Sequence, residues 1–176
     1  MTRRVLFPLL AGLMVSAATM PSSPDLGKKE GQCRPGEQGP SLVVTVEGLK
    51  DRRGNLKLEV YPANDKDFLA DDNALLGAGK VFRRAEVPVP QSGAVHLCIR
   101  LPGPGTYAAS LLHDRDSNHK FGWIVDGIGF SGNPKLGWNK PKATKVAIEA
   151  GSGPTPLSIV MNYRSGLGVA PLKRMD

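Results

Sequence analysis

From Ser41 to Tyr163 the chain repeats one pattern, in which a short run of alternating apolar and polar residues is followed by Gly, Pro, Asn or Asp. Alternation with a period of two places every second side chain on one face of an extended segment, so the pattern predicts strands. Leu42, Val44 and Val46 share a face, and Gly48 marks the exit. Leu56, Leu58 and Val60 alternate with Lys57, Glu59 and Tyr61, which predicts a strand with one face on a core and the other in water. Asp65 to Leu76 reads as a loop with one helical turn. Gly79 to Val89 is extended, with an irregularity at Arg83-Arg84, and Pro88 and Pro90 suit an edge. Val95, Leu97, Ile99 and Leu101 point one way, while His96, Cys98 and Arg100 point the other. Thr106 to Leu112 is apolar on both faces, as a central strand is. Two last strands alternate through Thr144, Val146 and Ile148 and through Leu157, Ile159, Met161 and Tyr163. Seven strands and no long helix predict an all-β fold, an antiparallel seven-stranded sandwich of immunoglobulin-like or transthyretin-like type, with a closed barrel as the alternative. The 21 Gly and 15 Pro agree with a fold rich in turns.

The first residues change the picture of where this domain works. Thr2-Arg3-Arg4 is a basic start, Val5 to Val15 is almost wholly apolar, and Ser16-Ala17-Ala18 offers small residues for cleavage. Residues 1–18 therefore read as a signal peptide, 19–40 as an extended lead-in, 41–164 as the sandwich and 165–176 as a C-terminal tail. The apolar run is shorter than the roughly 20 residues a bilayer needs, and Pro8 interrupts it, so the mature chain is expected to have no membrane span and to be periplasmic or secreted. In that oxidising space the only two cysteines, Cys33 and Cys98, are expected to form a disulfide. The phase of its strand puts Cys98 on the outer face, where the lead-in can lie across the sheet. Closing a loop of about 65 residues stabilises by roughly 4 kcal/mol in the chain-entropy account. A redox or metal pair lacks the Cys-x-x-Cys spacing behind it.

The formal charge of +7 falls to about +5 once Arg3 and Arg4 are removed. Lys28-Lys29, Arg52-Arg53, Arg83-Arg84 and Lys173-Arg174 are scattered pairs with no interleaved aromatic residues, which excludes a nucleic-acid surface. The basic balance serves solubility, or a weak attraction to the anionic cell envelope.

Candidate chemistry is concentrated after the central strand. Asp114, Asp116 and Asn118 bring oxygen-bearing side chains to alternate positions, the way a loop gathers ligands around calcium, with Lys120 and Asp126 completing the segment. Arg115 and Lys120 offset the two carboxylates, so any calcium affinity is expected at the weak extracellular end, about 10⁻⁴ to 10⁻³ M. The competing reading is a loop held by Asx-turns and surface ion pairs. The span Asp114 to Pro141 is long for a compact domain and holds Phe121, Ile128, Phe130 and both tryptophans, Trp123 and Trp138. It is expected to fold as one long capping loop at one end of the sandwich. Beside Asn133, Asn139 and Lys140, the two indoles are candidate contacts for a sugar or peptide. Gly129-Phe130-Ser131-Gly132-Asn133 starts like a nucleophile elbow but lacks its final glycine. His113 and Asp114 are neighbours that face opposite ways on a strand, so no catalytic residue is assigned.

The Pro/Gly turn Pro102-Gly103-Pro104-Gly105, Tyr107 just inside the next strand, His113-Asp114 at its end, the Asp/Asn loop, and Gly129-Phe130-Ser131-Gly132-Asn133 together resemble the DUF2141 family of bacterial secreted proteins. Val43-Thr45-Val46-Gly48-Leu49 with Gly54-Leu56-Leu58-Val60-Tyr61 is similar to that family's first hairpin, so the resemblance covers about Ser41 to Tyr163. It implies a β-sandwich and export, and no reaction. Tyr107 also looks like the tyrosine that braces a corner in transthyretin-like modules. The family's acidic loop commonly reads Asp-x-Asn-x-Asn-Gly-Lys-x-Asp; here His119 stands at the glycine and Gly122 where a further Asp is usual. The reading is an exported non-enzymatic β-sandwich that binds or scaffolds an envelope component. The alternative is a periplasmic metal-handling protein or enzyme using His113, Asp114 and His119.

Overall fold

The computed structural model describes residues 24–172, so the signal-peptide reading of residues 1–18 lies outside the described residues. Ten strands form two sheets. The small sheet contains β1 (Ser41–Glu47), β4 (Val95–Arg100) and β8 (Pro154–Val160), in the order β4-β1-β8. The large sheet contains β2 (Asn55–Pro62), β3 (Arg83–Pro88), β5 (Gly105–Asp114), β6 (Gly127–Phe130), β7 (Ala147–Ala150), β9 (Asn162–Ser165) and β10 (Gly168–Pro171). Its order is β10-β9-β6-β5-β2-β3, with β7 paired to β5. The helical turns are α1 (Lys28–Gly31), α2 (Asp72–Gly77) and α3 (Ala143–Val146). The fold is an open sandwich and not a barrel.

The alternating residues meet where the pattern places them. Leu42, Val44, Leu56, Leu58, Val60, Ile99 and Leu111 are fully buried between the sheets. Tyr107 braces the turn before β5 by donating its hydroxyl to the Gly103 carbonyl at 2.8 Å. Cys33 and Cys98 are joined, with Cα atoms 5.9 Å apart. The lead-in is held by more than this bond. Arg84 N donates to Gly27 O, Gln32 bridges Ile99, and a Cβ on Gly31 would lie 2.8 Å from the Arg84 carbonyl. The segment thus runs along the free edges of β3 and β4 and covers both.

Four expectations are corrected. Leu157 to Tyr163 is not one strand: the run leaves the small sheet at buried Met161 and enters the large one as β9, because its continuous alternation serves both inner faces. β8 lies parallel to β1, pairing Val44 with Leu157 and Val46 with Ile159, so the sandwich is not wholly antiparallel. Thr144 to Val146 forms α3 and not a strand, with Val146 turned into a second core. Finally, Asp114 to Pro141 is interrupted by β6 and lies over the outer face of the large sheet, with Phe121, Trp123, Leu136 and Trp138 flanking that face.

Strand β6 shows why. A Cβ on Gly127 would sit 2.4 Å from the Tyr163 ring and one on Gly129 2.5 Å from Ile159, so the inner face has no room for side chains there. Its bulk points outward instead, as Ile128 and Phe130. The open edge of β8 is also guarded. Met161 N bonds Glu47 O across the pair with β1, so Val160, Ser158, Pro156 and Pro154 face outward. The prolines carry no N–H, and the Asn133 side chain accepts from Val160 N and donates to Ser158 O.

Gly129→Ala should destabilise the fold by about 1–3 kcal/mol through overpacking against Ile159, measured as a lowered urea midpoint. A midpoint equal to the wild type would show that the sheets can separate to admit a methyl group.

Candidate functional site

Strands β2, β5 and β6 send Lys57, Glu59 and Tyr61, then Ala108, Ser110 and Leu112, then Ile128 and Phe130, to the outer face of the large sheet. Half of that face is sealed. Tyr61, Phe68, Phe82, Phe130, Ala143 and Val146 form a second core beneath the segment after β2 and the turn α3. The Tyr61, Phe68 and Phe130 rings meet edge-on at 5.7 and 5.8 Å. The expectation that this face of β2 meets water is therefore wrong for Tyr61, which is 4% exposed, and for Glu59.

The other half is open, as a groove of about 310 Å³. Leu112, Ile128 and Phe130 form its floor, and Leu69, Phe121, Leu136, Trp123 and Trp138 its walls. The two indoles lie nearly parallel, 16° apart with centroids 6.3 Å apart. Trp138 is 79% exposed, and Ile124, next to Trp123 in the chain, is 69% exposed. Sequence reading named both indoles; it missed the floor, whose signal was the alternation Gly127-Ile128-Gly129-Phe130.

Polar groups line the groove from β2 and from the covering segment after Trp138. Glu59 accepts from the Tyr61 hydroxyl at 2.7 Å and from Arg84 Nε at 2.8 Å, and Arg84 Nη2 reaches Asp72 at 2.9 Å. Burial and the Glu59 charge push the Tyr61 phenol far up, so it remains a donor. Lys57 Nζ lies 3.7 Å from Glu59 and bonds the His119 carbonyl. Lys140 Nζ bonds the carbonyls of Asp65 and Phe68.

The acidic loop is organised differently. Buried Asp114 receives the backbone N–H groups of Asn118 and His119, and buried Asp126 those of Arg115 and Gly122. Exposed Asp116 accepts from the Asn118 amide, whose oxygen accepts from Lys120 N. Asp114, Asp116 and Asp126 nonetheless offer carboxylate oxygens within 4.8 Å of one another. The Lys120 ammonium contributes nothing that could hold a cation. His119 has φ 62°, the left-handed conformation expected at the family's glycine. Its ring meets Glu86 at 2.9 Å, and Glu86 is also paired with Lys28.

His113 is separated from both, on the inner face of β5. Its Nε2 faces the Arg53 carbonyl at 2.8 Å, which can only accept, so Nε2 carries the proton and Nδ1 receives the Tyr163 hydroxyl at 2.7 Å. Tyr163 in turn accepts from Lys50 N, and burial pushes its phenol up to about 12. Arg115 pairs with Asp51 at the same rim, a hydrogen bond that holds the Asp51 carboxyl below its usual range. Ser131, fully buried, bonds Ala109 and Val146, so neither residue is presented to a substrate.

Burial holds His113 below the ordinary value of 6.5. The unfolded chain therefore binds a proton near that pH that the folded chain does not. The resulting stability is fully present above the ordinary value and is lost as pH falls through the depressed one. Urea midpoints should drop between about pH 7.5 and pH 5.5, above the carboxylate range, and His113→Gln should flatten this drop while lowering stability at neutral pH by roughly 1–3 kcal/mol. A slope unchanged in the variant would place the titrating group elsewhere.

Comparison with curated proteins and with solved structures gave no match. A family model does match, over residues 44–158, from within β1 to within β8, and so covers well over half of the chain. The match spans the groove floor, the acidic loop and both indoles. The chain belongs to that family, DUF2141, described as an uncharacterized protein conserved in bacteria.

Proposed function

We propose that this protein is an exported, non-enzymatic binding module, and that its site is the groove on the outer face of the large sheet, where it holds an apolar portion of a cell-envelope component. One observation carries the reading: an open cavity with an apolar floor and two exposed, parallel indoles, on a sheet part of whose outer face is sealed by a second core. The Cys33–Cys98 disulfide supports an oxidising compartment. No helix among the described residues is long and apolar enough to cross a membrane. The engagement of both His113 ring nitrogens by Tyr163 and Arg53 supports a binding rather than a catalytic role.

A neutral apolar dye, N-phenyl-1-naphthylamine, should bind saturably with a rise in emission. Trp138→Ala with Trp123→Ala should weaken it about tenfold, the worth of roughly 1.4 kcal/mol of aromatic contact. Leu167→Ala, which removes an equally exposed apolar side chain between β9 and β10, should leave it unchanged. Equal loss in both variants would mean diffuse surface adsorption and would remove the groove as the site.

The acidic loop supports a second reading, a weak calcium site, on the convergence of Asp114, Asp116 and Asp126. Under it, calcium at about 10⁻³ M raises the thermal midpoint of the wild type and not of Asp116→Ala. Identical midpoints in calcium and in chelator would leave the loop as a segment braced by its own amides.

A further inference from the structure

We propose that the groove takes a single-chain anionic amphiphile, a fatty-acid-like monocarboxylate, with its head at β2 and its chain crossing the strands toward β10. This deepens the reading of the groove as the binding site and rests on it. Three features of the groove carry the assignment.

The first is direction. Its lining residues come from β2 (Lys57, Glu59), β5 (Leu112), β6 (Ile128) and β10 (Val169), so it runs across the sheet rather than along a strand. From β2 to β10 the order β2-β5-β6-β9-β10 spans four strand spacings, about 19 Å. Leu136 and Val169 also line an adjoining cavity of about 390 Å³ against Asn162 and Pro171. The apolar path therefore continues past the indoles, which suits an extended chain better than a compact ring.

The second is the distribution of polar groups. A saccharide needs hydrogen-bonding partners along its length, and here they come from β2 (Lys57, Glu59), β5 (Ser110) and the covering segment (Asn139, Lys140), with none from β6 or β10. Beyond Leu112 the path is walled by Ile128, Leu136 and Val169. The amides of Asn133 and Asn162 near the far end are already spent on Ser158, Val160 and Ile128, leaving exposed Lys135 as the only charged side chain lining the adjoining cavity.

The third is charge. Lys57 and Lys140 against Glu59 leave one positive charge in the groove lining, and including Glu59's buried partners Arg84 and Asp72 does not change that balance. A single carboxylate is the complementary head group. Lys140 holds only backbone carbonyls there, and its ammonium retains donor capacity for such a head.

The test uses the full purified chain, with dodecanoate, dodecanol and dodecyltrimethylammonium below their aggregation limits competing against N-phenyl-1-naphthylamine. Dodecanoate should displace the dye at concentrations about fivefold lower than dodecanol, the worth of one partly exposed ion pair, and the cationic analogue should be the weakest. The advantage of dodecanoate should shrink in 1 M salt, where screening acts over about 3 Å. Lys57→Gln and Lys140→Gln, each checked by near-ultraviolet circular dichroism for an intact core, should bring dodecanoate to the level of dodecanol measured in the same variant. Val169→Asn should weaken dodecanoate and dodecanol alike by putting an uncharged polar amide on the apolar chain path. Dodecanol equal to dodecanoate, or the cation preferred, overturns the anionic assignment and leaves the groove reading standing. Failure of the dye itself to bind brings down the groove reading.

Discussion

Strand β5 has no face that water can be allowed to reach. Its inward Ala109 and Leu111 are fully buried in the sandwich core, its outward Ala108 is equally buried, and its outward Leu112 nearly so. The small sheet can cover only one of these faces. A second layer must therefore be built from the connections on the far side of the large sheet, and each long connection in the chain supplies part of it. The segment after β2 brings Phe68 and Phe82, and the segment after β6 brings Leu136, Ala143 and Val146. The groove is where this second layer stops short. Its apolar floor is thus a consequence of a central strand that must be covered, and its walls are the ends of the segments that do the covering.

Burying β2 on both faces has an electrostatic cost, because Glu59 and Arg84 face the second layer. A lone buried carboxylate there is strongly unfavourable, and the structure answers with a chain of partners from Tyr61 through Glu59 and Arg84 to Asp72. Once each is satisfied, the network fixes where polarity ends along the sheet. It also ties α2 to β2 and β3, so the segment that seals half of the face is located by ionic contacts as well as by aromatic packing.

Much of the sandwich is legible in the chain because its inner faces obey a period of two. Leu42, Val44 and Val46, the paired faces of Val95 to Leu101, and the outward phase of Cys98 all follow from that period alone. What alternation cannot report is which sheet a strand joins. Leu157 to Tyr163 keeps a single phase while it passes from one sheet to the other, since both inner faces demand apolar residues and Met161 satisfies either. The direction of pairing is equally silent: β8 beside β1 presents the same side chains whether parallel or antiparallel. Polar residues on outward positions mislead for a different reason. Glu59 and Tyr61 look solvated because nothing in the strand itself announces that the segment after it folds back to lay Phe68 and Phe82 over them.

The acidic loop shows the same limit at the level of chemistry. Cation binding and amide capture both ask for short oxygen-bearing side chains at alternate positions on a tight turn, so Asp114, Asp116 and Asn118 fit either demand. The loop meets both at once: Asp114 and Asp126 each spread two oxygens over separate N–H groups, and with Asp116 they still bring carboxylate oxygens within 4.8 Å of one another. Those bonds hold His119 in a left-handed conformation that a glycine would adopt freely, and they position Gly122 and Trp123. Through these amide bonds the carboxylates act on the groove, by setting the place from which Trp123 reaches its partner Trp138.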